Sequence, residues 1–205
     1  MAANPAQVRR PDVSDYVVHL TKGATDDAAF QNLLSIVDDR SIRGNTRNIR
    51  GDYQCVCFTE APLLSLAGGL LNTRGVRRYS PFGIAFAKSW LFAQGGRPVI
   101  YQSDAEFQQL PENLAWRHMR YEPDALDPID FAWEREWRIQ AAALDLAPTH
   151  CAVVLPNGAW SNRLREAHHD QQDWQFHAYA ELFDMNLAQQ LQEDFPWSVF
   201  ELPPG

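Results

Sequence analysis

Six short β-rich runs constrain this chain more than any other feature: DYVVHLTKG (15–23), QCVCFTEAP (54–62), FGIAF (82–86), RPVIYQS (97–103), FAWEREWRIQAA (131–142) and HCAVVLPNG (150–158). Gly23 closes the first and Pro62 stops the second, as turn residues do at strand ends. Stretches of helical character lie between them. In TDDAAFQNLLSIVDDRSI (25–42), Thr25 reads as an N-cap with acids in the first turn, and Phe30, Leu33, Leu34 and Val37 follow at helical spacing. AKSWLFAQGG (87–96) predicts a helical turn ending at Gly95–Gly96, and DAEFQQLPENLAWRHMRY (104–121) a helix interrupted at Pro111. SNRLREAHHDQQDW (161–174) predicts a Ser-capped helix, and AYAELFDMNLAQQLQEDF (178–195) a final amphipathic one. LLSLAGGLL (63–71) predicts a short helix weakened by Gly68–Gly69, and IRGNTRNIRGDY (42–53) a loop. Strands interleaved with helices over short connections make an α+β protein.

At 205 residues the chain has the length of one domain, and 45% hydrophobic residues suffice for a core. Residues 1–14 read as a loose arm and 15–205 as a single domain, helical from about 160. No window of about 18 apolar residues suggests a membrane span, and the N-terminus lacks the apolar core of a secretory signal. Three cysteines are an odd count for a stapled secreted protein, so reduced thiols in a cytoplasm are expected.

The net charge of −8 is unevenly spread. Arg40, Arg43, Arg47, Arg50, Arg74, Arg77 and Arg78 face only Asp52 and Glu60 between residues 40 and 78. After Arg165 there are eight acids and no Lys or Arg. The two regions either pair within the fold or leave the basic part for a phosphate-bearing ligand. There is no glycine-rich phosphate loop, no Gly-x-Ser-x-Gly elbow and no His-Glu-x-x-His helix. Cys55, Cys57, His118, His150, Cys151 and His168–His169 lack zinc-ligand spacing, so no metal is expected.

Three short segments carry candidate chemistry. Read as a strand, WEREWR puts Glu134, Glu136 and Arg138 on one face and Trp133, Arg135, Trp137 and Ile139 on the other. The carboxylates then sit roughly 7 Å apart at Cα, and each raises the other's pKa unless a cation such as Arg138 compensates. The arrangement fits either a solvated Glu-Arg ladder or the wall of a cleft. In VVHLT, His19 and Thr21 share a strand face, and in VCFTEAP, Thr59 and Glu60 end an apolar strand.

Together these segments resemble a known pattern. The phrases VVHLTKG, VCFTEAPL, FGIAFAKSWL, GGRPVIYQ and WEREWRI look like bacterial abortive-infection proteins of the AbiGi type. The opening HLTKGATDDAAFQNLLSIVDDRSIRG is similar to the start of DarT-like ADP-ribosyltransferases, whose motifs are an early His or Arg, a middle Ser, Thr or Tyr, and a late Glu. Two departures stand out: the late Glu lies in a Trp-flanked Glu-Arg-Glu run, and several arginines fill the place of one.

The resemblance implies a compact, ADP-ribosyltransferase-like domain with a split, mostly antiparallel central sheet flanked by helices. It implies NAD as co-substrate and a macromolecular acceptor, protein or nucleic acid, in phage defence. His19 would hold ribose hydroxyls, and Thr21 and Thr59 would line the ribose or the nicotinamide amide. Arg43, Arg47 or Arg50 would grip the pyrophosphate. Phe58, Tyr101 or Trp133 would stack on nicotinamide. Glu136 would stabilise an oxocarbenium-like charge and Glu134 would act as general base on the acceptor. The rival expectation is a non-catalytic antitoxin or sensor. Its glutamates and arginines would form an internal network, and the C-terminal helix would meet a partner protein through Leu182, Phe183, Leu187 and Leu191.

Overall fold

The structure, a computed structural model, describes residues 13–62 and 79–203. Most of the expected N-terminal arm, the short helix expected at 63–71, and Arg74, Arg77 and Arg78 lie outside them.

Among the described residues, seven strands form the main sheet. In spatial order they are β11 (Ser198–Glu201), β10 (Cys151–Leu155), β4 (Gly83–Ala87), β1 (Tyr16–Leu20), β3 (Cys55–Thr59), β8 (Glu136–Gln140) and β5 (Arg97–Pro98). Only β10 and β11 run parallel; every other pairing is antiparallel. Two small ladders complete the β-structure of the described residues. β2 (Ser41–Arg43) pairs with β9 (Ala143–Asp145), and β6 (Ile100–Gln102) runs parallel to β7 (His118–Arg120). Among the described residues the helices are α1 (Asp26–Asp38), α2 (Lys88–Ala93), α3 (Asp104–Phe107), α4 (Gly158–Leu182) and α5 (Met185–Gln190). The fold is α+β with a mostly antiparallel central sheet, and each β-rich run of the sequence contains a strand.

Alternation along the strands builds the core. Val17, Ile84, Phe86, Val56, Phe58, Trp137, Ile139 and Val153 lie in one cluster with Phe30, Leu33 and Val37 of α1. Thr25 caps α1 by accepting from the Ala28 N–H at 3.1 Å, and Asp26 and Asp27 occupy its first turn, where the positive helix end favours acids. The opposite sheet face carries a smaller cluster, with Val18, Leu20, Ala61, Ala85 and Val154.

The joint between β1 and β3 has the fewest paired positions in the sheet. Full ladders join β1 to β4 and β3 to β8, yet β1 and β3 share one paired position, Val18 opposite Thr59. Beside it the His19 ring, not a backbone amide, reaches the Cys57 carbonyl at 2.8 Å. A Cβ at Gly83 would clash with the His19 carbonyl oxygen, so a glycine lets β4 close up against β1 there.

Several boundaries differ from the expectations. The strand expected through WEREWR begins only at Glu136. Ala132–Glu134 form a 3-10 turn, and Arg135 turns left-handed with φ 45° and ψ 53°. Glu134 therefore shares no strand face with Glu136 and Arg138. The run 104–121 forms α3, a 3-10 segment (Glu112–Arg117) and β7, because Ser103 closes a capping box with Glu106 and Pro111 precedes the second piece. The two C-terminal helices are redrawn as well. α4 runs 25 residues from an Asn157 cap, with Ser161 buried inside it, and the chain breaks only at Phe183, before Asp184 caps α5. Asn caps as well as Ser does, and nothing in residues 175–177 interrupts a helix. The strands β9 and β11 were not foreseen.

Candidate functional site

A cleft of about 1030 Å³ opens on the β3–β8 face of the sheet, beside the β1–β3 joint. Register places its floor. Val18 lies opposite Thr59, and Thr59 opposite Glu136. With strands ~4.8 Å apart, the row from Val18 to Glu136 spans about 10 Å. Cys57 and Arg138, one pleat along, face the same way.

Glu136 is buried and fixed by a guanidinium. Arg138, 1% exposed, donates from Nε to Glu136 Oε1 at 2.8 Å and from Nη2 to Oε2 at 3.4 Å. Its Nη1 donates to the carbonyls of Trp116 and His118 at 2.8 and 2.9 Å. A charge taken this far from water requires such pairing. Glu134 reaches the cleft by another route, since the left-handed Arg135 ends the 3-10 turn beneath it. Thr59 donates its hydroxyl to the Glu134 carbonyl at 2.6 Å, and the Tyr79 hydroxyl donates to Glu134 Oε2 at 3.2 Å. Both glutamates line the cleft.

The partner of His19 defines its tautomer. A carbonyl only accepts, so Nδ1 carries the proton that goes to the Cys57 oxygen. Nε2 is then the acceptor. Burial pushes the pKa of His19 below 6.5, the Cys57 carbonyl opposes this, and Lys22 adds to the lowering. The neutral imidazole suits a ligand hydroxyl. The thiol of Cys57 is pushed up, by burial first and then by Glu136 beside it, so it is no thiolate nucleophile.

The basic loop supplies the cleft's other rim. Asn45, Arg47, Asn48 and Arg50 line it, with Arg120 of β7. Arg50 and Arg120 both pair with Asp104. Among the described residues, no hydrogen bond or ion pair engages the Arg47 guanidinium. Asn48 itself sits at φ 60°, a left-handed position that Asn tolerates.

The expected site residues divide into two groups. His19, Arg47, Arg50, Phe58, Thr59, Glu134 and Glu136 all line the cleft, and Thr21, Arg43 and Tyr101 do not. Thr21 is buried, its hydroxyl lying 3.0 and 3.2 Å from the carbonyls of Ala29 and Phe82. Arg43 points to solvent on β2 and pairs with Asp39. Tyr101 works as a strut: its hydroxyl accepts from the Glu136 N–H at 3.1 Å and donates to the Phe131 carbonyl at 3.3 Å. Burial raises its pKa to about 12, so it stays a phenol and keeps both bonds. Phe58 packs edge-on against the His19 ring at 6.1 Å.

Tyr79, Arg120 and Phe131 were missed because they come from three separate parts of the chain, two connections and the end of β7, with no shared motif to join them. Arg138 carried a signal. A guanidinium two residues after a glutamate on a strand bounded by Trp and Ile points where that glutamate points. Glu60 was read with Thr59 but faces the other way, accepting from Trp137 Nε1 at 2.7 Å and Lys88 Nζ at 2.8 Å.

Among the described residues, no group of three His, Cys, Asp or Glu could hold a metal ion, and no helix is long and apolar enough to cross a membrane. Comparison with known proteins finds no matching family model, no matching curated protein and no matching solved structure.

Proposed function

We propose that the cleft binds NAD and that the protein is an ADP-ribosyltransferase acting on a macromolecular acceptor in phage defence. One observation carries the reading: two buried carboxylates and a rim of arginines line the same cleft. NAD has the matching charge pattern, a cationic nicotinamide at one end and a diphosphate in the middle. The resemblance of the motif order to abortive-infection proteins and DarT-like transferases agrees with this reading.

In this reading His19 Nε2 accepts from a ribose hydroxyl, and Arg47, with Arg50 beside it, holds the diphosphate. The bond between ribose C1′ and the nicotinamide nitrogen breaks, and its electron pair leaves with neutral nicotinamide. Glu136, oriented by Arg138, stabilises the positive charge left on the ribose. A lone pair of the acceptor then forms the new bond to C1′, and the acceptor's proton passes to Glu134.

The test uses NAD labelled in its adenylate half, cell extract, and the full chain beside Glu136→Gln, Arg47→Ala and Arg43→Ala. The wild type should release nicotinamide and transfer label, and Glu136→Gln should do neither. Arg47→Ala should bind NAD about tenfold more weakly, the worth of one charge-assisted hydrogen bond. Arg43→Ala should bind as the wild type does. A wild-type sample that leaves NAD intact refutes the reading.

A further inference from the structure

The C-terminal hairpin of α4 and α5 is unlike the rest of the molecule. Only Ser161 and Leu164 of α4 are buried, both within its first two turns. From Arg165 to Leu182 no residue is buried. At ~1.5 Å per residue that portion is about 25 Å long. The return segment holds its base. Gln172 accepts from the Glu193 N–H at 2.8 Å, His168 Nε2 lies 3.0 Å from the Glu193 carbonyl, and Arg165 lies over the Phe195 ring. The main neighbour of α4 is α5, and Ala188 is the one buried residue of α5.

This outer part is studded with apolar side chains. Trp174, Leu182, Phe183 and Met185 are 63–73% exposed, and Leu187 and Leu191 of the same hairpin are also exposed. None of them belongs to a core cluster. At ~200 Å² for an aromatic side chain, Trp174 and Phe183 alone leave roughly 270 Å² in water. Leu182, Met185, Leu187 and Leu191 add further exposed apolar surface to the same hairpin. Three of them, Leu182, Phe183 and Met185, crowd the corner where α4 turns into α5.

The fixed charges that this stretch itself carries have one sign, although Arg40 pairs with Glu193 and His169 lies by Asp173. Residues 166–203 hold eight acids and no Lys or Arg. Asp170, Asp173, Glu181 and Asp184 are exposed on the same stretch. Such a field repels a second copy of the hairpin and an anionic membrane, and it attracts a cation-bearing surface.

We infer that the α4–α5 hairpin is the docking surface for a positively charged protein partner, one that lays an amphipathic helix along Trp174, Leu182, Phe183 and Met185. Its basic residues meet Asp173, Glu181 and their neighbours, and its apolar stripe covers the corner. The inference uses no property of the cleft, so it stands or falls apart from NAD chemistry.

The probe is a fluorescent helix of Leu and Lys in amphipathic order, with a Leu/Glu helix of equal length as control. Binding to the full chain is read by fluorescence polarisation. The Leu/Lys helix should bind the wild type, more weakly as salt is added. It should lose at least about tenfold in affinity on Leu182→Ser/Met185→Ser and on Asp173→Lys/Glu181→Lys. The Leu/Glu helix should not bind. All four substituted residues are exposed, so both variants should melt with the wild type, which separates lost docking from lost fold. Equal affinity for wild type and both variants overturns the inference, as does equal binding of the two helices. A wild-type dimer that Leu182→Ser/Met185→Ser turns into monomer overturns it in favour of self-association. Co-sedimentation with phosphatidylcholine vesicles that the same variant abolishes overturns it in favour of lipid.

Discussion

Replacing Arg138 by Met tests whether the candidate site and the fold share a foundation. Arg138 is 1% exposed, and Glu136 beside it is 6% exposed. Met fills much of the same space but leaves the Glu136 carboxylate without its cation. Breaking a buried pair this way costs about 3–5 kcal/mol. The carbonyls of Trp116 and His118 also lose their donor, which places the expected loss in the upper part of that range. For a chain of this size each kcal/mol lowers Tm by about 2–4 °C, so a fall of roughly 10 °C or more is expected. Urea unfolding, followed through the fluorescence of the seven tryptophans, gives the free energy directly. The decisive variant is the double one, Arg138→Met with Glu136→Gln. Once the carboxylate is neutral the buried charge is gone, so the double variant should recover on the order of 2 kcal/mol over the sum of the two single losses. Single variants that each cost under about 1 kcal/mol, or losses that simply add, would refute the argument that the two groups hold each other in the protein interior.

Two further outcomes follow from the same reasoning. Thr21→Val removes a buried hydroxyl that lies against two backbone carbonyls, so it should cost about 1–2 kcal/mol and leave NAD affinity unchanged; weaker NAD binding in the folded variant would restore Thr21 to the site. Burial is the main cause that lowers the pKa of both His19 and His118 below 6.5, so below that pH the unfolded chain takes up protons that the folded chain refuses. Their stability is fully present above pH 6.5 and is lost as pH falls below it, at up to about 1.4 kcal/mol per pH unit for each ring; Tm measured from pH 7.5 to 5 should fall, and His19→Gln/His118→Gln should flatten the slope.

How far the sequence revealed this depends on the range of the interactions. Strand alternation is local, and VVHLT, VCFTE and EWRI hold the sheet rows they suggested, because the apolar residues of each strand bury together. The Thr25 cap is local too, since its partner is three residues away. The WEREWR run misled for a non-local reason. Its alternation continues smoothly back to Trp133, but the backbone is bent by contacts from elsewhere. Thr59 takes the Glu134 carbonyl, Glu60 donates its N–H to the Arg135 carbonyl, and Tyr101 takes the Glu136 N–H. None of those partners lies within 30 residues. Tyr101 and Thr21 misled in the opposite way. Their polar atoms suggested a ligand, and the fold uses them for its own carbonyls and amides.

The bend at Arg135 also separates the two glutamates by physical character. On a continuous strand, Glu134 and Glu136 would share one face and compete for Arg138. In the folded chain the left-handed residue between them gives each its own support: a buried guanidinium for Glu136 and the Tyr79 phenol for Glu134. A carboxylate locked in two-point contact keeps its position while charge develops beside it, which suits electrostatic stabilisation. Glu134 instead accepts from the Tyr79 phenol at Oε2, and a carboxylate bonded by a phenol suits general-base work in the proposed reaction. Two carboxylates in unlike surroundings are what a division of roles needs. Here the unlike surroundings come from one residue at positive φ, placed between strand β8 and the turn before it.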